Sequence, residues 1–163
     1  MKRCGHFGAG EQVLDGFENY DKYPVDNRVK ILDMNHMPYH FCDDWFDELV
    51  CRHTLEHLDV NSYDVLHEMH RITKDDGLVT VELPIFGNLV SHNHFFHSRN
   101  YMNPVLCRRH DNEYIRNLFE LESFQKKQRC GLKKILWKMK TRFLTWVDSF
   151  LFDSYEWQLR VKK

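Results

Sequence analysis

Residues 46–83 place the tightest constraint on how this chain can fold, because they predict a strand, a helix and a second strand in that order. Leu49–Cys51 forms the centre of a short apolar strand, and apolar residues recur at three-to-four spacing over about residues 60–73, as in an amphipathic helix. Residues 78–83 then alternate and are rich in β-formers. This order within about 40 residues predicts a βαβ unit with parallel strands and a right-handed crossover.

Residues typical of caps and turns bound the other predicted elements. Asn61 or Ser62 is suited to cap the helix at its start, and Asp75-Asp76-Gly77 predicts its end. The remaining strand candidates are short. They are a first strand over residues 2–7, Phe17–Asp21, Val29–Leu32 and Tyr155–Val161, the last of which is expected to close one edge of the sheet. The chain is therefore predicted to be α/β, with a mostly parallel sheet and an antiparallel C-terminal edge strand.

Length and composition predict one globular domain over residues 1–163. The chain is 42% hydrophobic and 29% charged, and no apolar stretch approaches the roughly 20 residues that cross a bilayer. The N-terminus lacks the apolar segment of a secretory signal. The cysteines are odd in number and never form a CxxC pair, which favours free thiols, a cytoplasmic location and no thiolate metal site. They are Cys4, Cys42, Cys51, Cys107 and Cys130.

Three short features lie at the carboxyl ends of successive predicted strands. Gly8-Ala9-Gly10 follows the first strand, Asp21 ends the second, and Asp33 with Met34 follows the third. Taken singly, the glycine pair is typical of a turn and each aspartate of a turn cap. Together they predict a ligand-binding edge, because open α/β sheets bind ligands at the carboxyl ends of their strands.

Longer motifs resemble class I S-adenosylmethionine-dependent methyltransferases, in particular a type 11-like subgroup with a short first loop. The run FDELVCRHTLEHL at residues 46–58 resembles the fourth strand of that family and the turn that follows it. HEMHRITKDDGL at 67–78 resembles the run that leads into the fifth strand. Residues 8–21 and 33–39 resemble the subgroup's first loop, second strand and third-strand end, so the likeness covers about residues 5–100.

The resemblance implies a compact, Rossmann-like fold and S-adenosylmethionine as the cofactor. The sequence departs from the family in starting at the first predicted strand, so the N-terminal lid that commonly covers the cofactor is expected to be absent. The glycine loop would contact the methionine moiety of the cofactor. Asp21, at the end of the second strand, would bind the ribose. The acid and methionine after the third strand would contact the adenine, and the residues after the fourth strand would lie near the sulfonium. The cofactor residues implied in this way are Gly8, Ala9, Gly10, Asp21, Asp33, Met34, Arg52 and His53.

Histidines provide the candidates for a general base. His92, His94 and His97 follow the fifth predicted strand, where the resembling subgroup has a similar run beside the acceptor pocket. The catalytic candidates are therefore His53, His92 and His94, since an imidazole titrates near neutral pH. The alternative is that these are structural histidines bonded to the backbone. A metal site is not predicted, because no Cys or HExxH pattern accompanies them.

Residues 123–147 hold eight basic residues and no acidic one, whereas residues 1–122 carry an acidic excess. An amphipathic helix is predicted over 132–147, inside a basic insertion at about 130–148. Three interpretations remain open: a surface helix with a solvated basic side, a contact between two copies of the chain, or a peripheral contact with a membrane or another anionic partner. No specific nucleic-acid partner is predicted, because no signature for one appears.

The predicted function is methyl transfer from S-adenosylmethionine to an O, N or C nucleophile of a small-molecule or glycan-like acceptor. One alternative is a non-catalytic, methyltransferase-like subunit that binds or regulates a partner. It is suggested by the ten residues between Gly10 and Asp21, too few for the usual crossover helix. The other is a nicotinamide-dependent enzyme, which is disfavoured because Val13 stands where GxGxxG requires its third glycine.

Overall fold

A computed structural model describes residues 2–84, 113–127 and 154–163 of the 163-residue chain. The described elements are seven strands, two α-helices and one short 3₁₀-helix, Leu55–His57. The strands are β1 (Cys4–Phe7), β2 (Glu18–Asp21), β3 (Val29–Ile31), β4 (Phe46–Arg52), β5 (Thr73–Pro84), β6 (Phe119–Lys127) and β7 (Ser154–Val161). The helices are α1 (Ser62–Ile72) and α2 (Glu113–Leu118).

The strands form one sheet in the order β3-β2-β1-β4-β5-β7-β6. The pairs from β3 to β5 are all parallel, and β7 runs antiparallel to both of its neighbours. The predicted α/β class, the parallel centre and the antiparallel C-terminal strand are confirmed. The structure adds β6, which the sequence analysis did not predict and which pairs with β7 on the outer side. The C-terminal strand β7 therefore does not close the edge of the sheet as predicted, since β6 forms that edge.

The predicted βαβ unit is present as β4, α1 and β5. Asn61 caps α1, since its side chain accepts a hydrogen bond from the backbone N–H of Tyr63. The helix buries an apolar stripe against the sheet, and then passes straight into β5 at Thr73. Asp75-Asp76-Gly77, predicted as the helix end, lies within β5 beside an irregularity in its pairing with β4. The stripe consists of Val65, Leu66, Met69 and Ile72.

An aromatic cluster fills the core beneath the first strands. Phe7 on β1 is fully buried and packs edge-on against Tyr20 of β2 and Phe46 of β4, with ring centroids 5.4 and 5.8 Å apart. Phe41, from the segment after β3, stacks on Phe7 at 5.7 Å. Such pairs stabilise a core by about 0.5–1.5 kcal/mol each beyond the area they bury. They fix β1, β2 and β4 relative to one another, and so position the carboxyl ends of these strands.

The connection between β1 and β2 contains no helix, although the two strands are parallel. Residues 8–17 form turns and irregular structure only, which is short for a parallel connection. The buried side chain of Asn19 holds this loop in place. Its Oδ1 accepts from the backbone N–H of Leu14 at 2.9 Å, and its Nδ2 donates to the carbonyls of Leu14 and Phe17 at 3.0 and 2.9 Å. The ring of His6 lies 3.0 Å away on β1.

Replacing Asn19 by Ala is expected to lower the free energy of unfolding by about 2 kcal/mol, because several buried polar groups lose their partners together. Urea unfolding followed by circular dichroism measures this change. Asn35→Ala is the comparison, since Asn35 also bonds to backbone but lies at a more exposed turn. A loss no larger than that of Asn35→Ala would show that Asn19 does not hold the loop.

Several predictions fall on residues outside those described. These are the basic insertion at about 130–148, its helix at 132–147, and the membrane, anionic or self-contacts assigned to it. Within the described ranges, no helix has the length and apolarity to cross a membrane. Of the five cysteines, Cys4, Cys42 and Cys51 are described and are free thiols.

Candidate cofactor and acceptor site

The glycine loop after β1 is fastened to β2 by its backbone. The N–H groups of Gly8 and Ala9 both donate to the carbonyl of Tyr20, at 2.8 and 3.0 Å. The N–H of Gly10 donates to Oδ2 of Asp21 at 2.8 Å. The structure therefore brings together the first two features that the sequence predicted for this edge.

The two glycines of the loop differ in what surrounds them. Both have positive φ, +71° at Gly8 and +50° at Gly10, which L side chains rarely adopt. A Cβ on Gly8 would lie 1.9 Å from Oγ1 of Thr54, in the turn after β4. A Cβ on Gly10 would meet no atom within 4 Å. Gly8 is thus required by packing, whereas Gly10 borders open space at the carboxyl edge of the sheet.

Asp21 combines a structural role with the capacity to bind a diol. Its Oδ2 accepts from Gly10, and its Oδ1 accepts from the backbone N–H of Tyr23 at 2.8 Å. A carboxylate oxygen has two acceptor positions, so each oxygen can take one more donor such as a ribose hydroxyl. The turn-capping interpretation and the cofactor interpretation of this residue are therefore compatible.

The end of β3 fits the predicted adenine contact only in part. Oδ2 of Asp33 pairs with Nζ of Lys22 at 2.9 Å, and Oδ1 accepts from the N–H of Asn35 at 3.0 Å. The ammonium of Lys22 foremost holds the pKa of Asp33 at about 2. Met34 is 4% exposed and packs in the core, and its carbonyl accepts from the hydroxyl of Tyr39. Asp33 thus lies at the edge, while the side chain of Met34 points into the protein.

Arg52 is the last residue of β4, and it lies with the following His53 beside a buried carboxylate from β5, Glu82. Oε1 of Glu82 accepts from Oγ of Ser154 at 2.5 Å and lies 3.1 Å from Nε2 of His53. Its Oε2 lies 3.2 Å from Nζ of Lys127 and 3.5 Å from Nε of Arg52. Burial opposes ionisation of Glu82, but the hydrogen bonds from His53, Ser154 and Lys127 outweigh it and hold its pKa at about 2.

A second buried carboxylate lies directly opposite the first. Glu156 on β7 pairs in register with Glu82 on β5, an arrangement of like charges that is unfavourable unless cations intervene. Lys127 from β6 contacts both carboxylates, and Nη2 of Arg52 lies 3.7 Å from Oε2 of Glu156. We call these groups the Glu82 cluster. Its members are Arg52, His53, Glu82, Lys127, Ser154 and Glu156.

Glu56, in the 3₁₀-helix after β4, is a buried acid beside this cluster. It is 2% exposed, and its Oε2 hydrogen-bonds to no described residue. Its Oε1 lies 3.8 Å from Nδ1 of His53. Burial raises the pKa of Glu56 to about 7, so this carboxyl is only partly ionised at neutral pH. His53 therefore lies between an ionised carboxylate, Glu82, and a partly protonated one, Glu56.

Sequence reasoning found one half of this site and missed the other. It named Arg52 and His53 but not Glu82, Glu156, Lys127 or Glu56. A glutamate at an inward position of the apolar strand LVTVELP was an available signal for Glu82, and the same holds for Glu156 in SYEWQLRV. His92, His94 and His97 lie outside the described residues. Among the described residues, no three His, Cys, Asp or Glu side chains are grouped as metal ligands.

Comparisons with known proteins agree with this fold. Residues 14–81 match a family model described as "Methyltransferase domain". No curated protein matches the chain in sequence. Among solved structures, a geranyl diphosphate C-methyltransferase from Streptomyces coelicolor, in complex with Mg²⁺, geranyl diphosphate and S-adenosyl-L-homocysteine, superposes with a TM-score of 0.63 at 11% identity. That match covers 99% of this chain and 72% of the other.

Two further structures extend the likeness. A putative sarcosine dimethylglycine methyltransferase from Galdieria sulphuraria has a TM-score of 0.62 at 13% identity, covering 99% of this chain and 78% of that one. A putative methyltransferase from Haloferax volcanii, in complex with the Trm112 methyltransferase activator, gives 0.61 at 12%, covering 99% and 83%. The predicted resemblance to class I S-adenosylmethionine-dependent methyltransferases is confirmed, and at these identities the structures establish the fold.

Proposed function

We propose that this protein transfers a methyl group from S-adenosylmethionine to an O, N or C nucleophile of a small-molecule or glycan-like acceptor. The observation that carries the proposal is the clamp between the backbone of Gly10 and the carboxylate of Asp21, which borders open space at the carboxyl edge of the sheet. Class I folds bind their nucleotide-like ligands at this edge. The family match and the cofactor product bound to the Streptomyces neighbour support the same cofactor here.

The residues at this edge fit S-adenosylmethionine, which supplies an electrophilic methyl group when bound. Asp21 would accept the two ribose hydroxyls, and the loop from Gly8 to Gly10 would allow the methionine moiety to approach the backbone. Asp33 would accept from the adenine amino group. Met34 remains part of this proposal through its position after β3, although its side chain lies in the core.

His53 is the described candidate for the general base. Methyl transfer joins the acceptor's nucleophilic atom to the methyl carbon as the carbon–sulfur bond breaks, and the acceptor's proton must leave. Glu82 lies 3.1 Å from Nε2 of His53, so it would orient the ring and stabilise the imidazolium that forms when the ring takes this proton. Arg52 would lie near the sulfonium, as the sequence resemblance implies. His92 and His94 are proposed as further bases from the sequence resemblance alone.

Replacing Asp21 by Ala is expected to weaken S-adenosylhomocysteine binding by at least about tenfold, because both ribose hydroxyls lose a charged acceptor. Isothermal titration calorimetry of the purified protein measures the change. Asp15→Ala is the matched control, since Asp15 lies in the same loop with its side chain 98% exposed. Unchanged affinity in a folded Asp21→Ala variant would contradict the assignment. NADH in a parallel titration tests the nicotinamide alternative.

A methyltransferase-like subunit without its own activity is the second candidate. The connection between β1 and β2 has no crossover helix, and one similar structure is a complex with an activator protein. The same titration separates the candidates, because failure of the folded wild-type protein to bind S-adenosylhomocysteine at about millimolar concentration would favour the subunit. A cytoplasmic location, self-association and a peripheral membrane or anionic contact remain predictions from the sequence.

A further inference from the structure

In the Glu82 cluster the acidic side chains are buried, and the cationic side chains are closer to solvent. The side chains of Glu82 and Glu156 are each 7% exposed, whereas those of Arg52 and Lys127 are 31% and 35% exposed. A molecule that approaches from solvent therefore meets a guanidinium and an ammonium before it meets either carboxylate. The buried acids hold both cations in fixed positions, as an anion-binding site requires.

Arg52 has donors that the described protein does not use. Its guanidinium makes two ion pairs at 3.5 and 3.7 Å and hydrogen-bonds to no described residue. Its Nε is buried and lacks a hydrogen-bond partner within the described part of the chain. A guanidinium offers five N–H donors in a planar fork that matches a carboxylate or phosphate group. The ammonium of Lys127, by contrast, contacts both glutamates directly.

The cluster lies next to the proposed cofactor loop without being part of it. The turn after β4 contacts the loop through Thr54, whose side chain lies against Gly8. The other cluster residues come from β5, β7 and β6, on the far side of β4 from β1. With about 4.8 Å between neighbouring strands, β7 lies about 14 Å from β1. A group bound at Arg52 and Lys127 is thus placed beside the cofactor, where an acceptor must lie.

We propose that Arg52 and Lys127 bind an anionic oxygen group, a carboxylate or a phosphate, on the methyl acceptor. This inference rests on the proposed function, and it narrows the acceptor to a molecule that carries such a group near its methylated atom. Glu82 and Glu156 act as positioning residues that hold the two cations. His53, bonded to the same Glu82, then lies close to the anchored acceptor.

Nitrogen-15 NMR of the full chain, loaded with S-adenosylhomocysteine, tests the proposal through the side-chain Nε–Hε signal of Arg52. Inorganic phosphate and acetate are titrated in separate arms at constant ionic strength against chloride, and the arm that saturates identifies the group. We expect a saturable shift, and we expect Arg52→Gln and Lys127→Gln each to weaken the affinity for the anion by at least about tenfold. Because Arg52→Gln removes the Nε–Hε signal, its affinity is read from backbone signals. Lys30→Gln is the matched control, because Lys30 on β3 also forms an ion pair with a glutamate, Glu18.

The outcomes separate this inference from the proposed function. S-adenosylhomocysteine binding without any saturable anion shift overturns the inference and leaves the function standing. Weakened S-adenosylhomocysteine binding in Arg52→Gln, with no anion binding to the loaded protein, also overturns it, since Arg52 would then hold the cofactor's own carboxylate. Anion binding at Arg52 in a protein that does not bind S-adenosylhomocysteine would support the anion site and contradict the proposed methyl transfer. Arg52→Lys, which keeps the charge but loses the fork, replaces Arg52→Gln if circular dichroism shows the latter unfolded.

Discussion

Replacing Glu56 by Gln is expected to raise the free energy of unfolding at pH 8 by about 3 kcal/mol and to change it little near pH 4. The folded protein holds the pKa of Glu56 at about 7, raised from 4.5 by burial. Below pH 4.5 Glu56 is protonated in both the folded and the unfolded protein, so its ionisation does not lower the free energy of unfolding. Between pH 4.5 and 7 the unfolded chain ionises first and stability falls, and above pH 7 the full penalty remains.

The size of this effect depends on the groups that face Glu56. His53 lies at 3.8 Å and favours the ionised form, whereas Glu82 opposes it, and the buried Cys51 thiol lies nearby. Glutamine keeps the shape of the side chain but has no proton to lose. The stability difference between wild type and Glu56→Gln should therefore grow from pH 4.5 to pH 7 and then level off, which urea unfolding at several pH values measures.

Glu68 provides a control of opposite sign. It is also a buried glutamate, but hydrogen bonds from Arg71 foremost lower its pKa. Glu68→Gln is expected to cost about 2 kcal/mol at pH 8, because it breaks a largely buried ion pair that is intact when Glu68 is ionised. The cost should shrink as the pH falls below 4.5. If Glu56→Gln lost stability at pH 8 as Glu68→Gln does, the carboxylate of Glu56 would be a required partner and our interpretation of its burial would be wrong.

Gly8→Ala is expected to lower the free energy of unfolding by about 4 kcal/mol, since a clash adds to an unfavourable φ. The new Cβ would lie 1.9 Å from Oγ1, 2.5 Å from Cγ2 and 2.7 Å from Cβ of Thr54, so no rotation of that side chain relieves the overlap. The loop and the turn after β4 would have to separate. Thermal and urea unfolding measure the loss.

Gly10→Ala is the matched comparison in the same loop. It shares the positive φ but meets no atom within 4 Å, so it should cost only about 1 kcal/mol. Its methyl group would instead occupy the space proposed for the cofactor, and S-adenosylhomocysteine should bind at least about tenfold more weakly. Equal stability losses in the two variants would contradict the packing role of Gly8. Unchanged affinity in a folded Gly10→Ala would place the ligand elsewhere.

The parts of this fold that could be predicted are those whose residues repeat with a clear period or follow a local rule. The stripe of α1, its Asn61 cap and the apolar centres of β4 and β5 are of this kind. The end of α1 at Ile72 lies close to the predicted one, but Asp75-Asp76-Gly77 does not end the helix. These residues lie within β5, in the irregular stretch between the pairs Phe46↔Thr73 and Glu48↔Leu78, which no local pattern indicates. The strand β6 was missed because its register shifts between Leu121 and Ser123, which interrupts the alternation.

The site shows the same division between local and long-range information. The positions of Gly10 and Asp21 were predictable, because Gly10 comes shortly after β1 and Asp21 ends β2. The assembly of the Glu82 cluster was not predictable, since its residues come from β4 and the turn after it, β5, β6 and β7, and only the strand order places them together. In the sequence, Lys127 appears as one of eight basic residues in a block, and nothing local sets it apart from its neighbours.

The loop without a helix between β1 and β2 also affects how the sheet can assemble. His6 meets Asn19 across only 13 residues of chain, whereas Glu82 meets Ser154 across 72. The entropy lost in closing a loop grows with its length, and local contacts favour fast folding. The first three strands, with the proposed cofactor edge, can thus form from near neighbours in the chain. The side with the Glu82 cluster requires β7, so we expect the two halves of one site to form at different times.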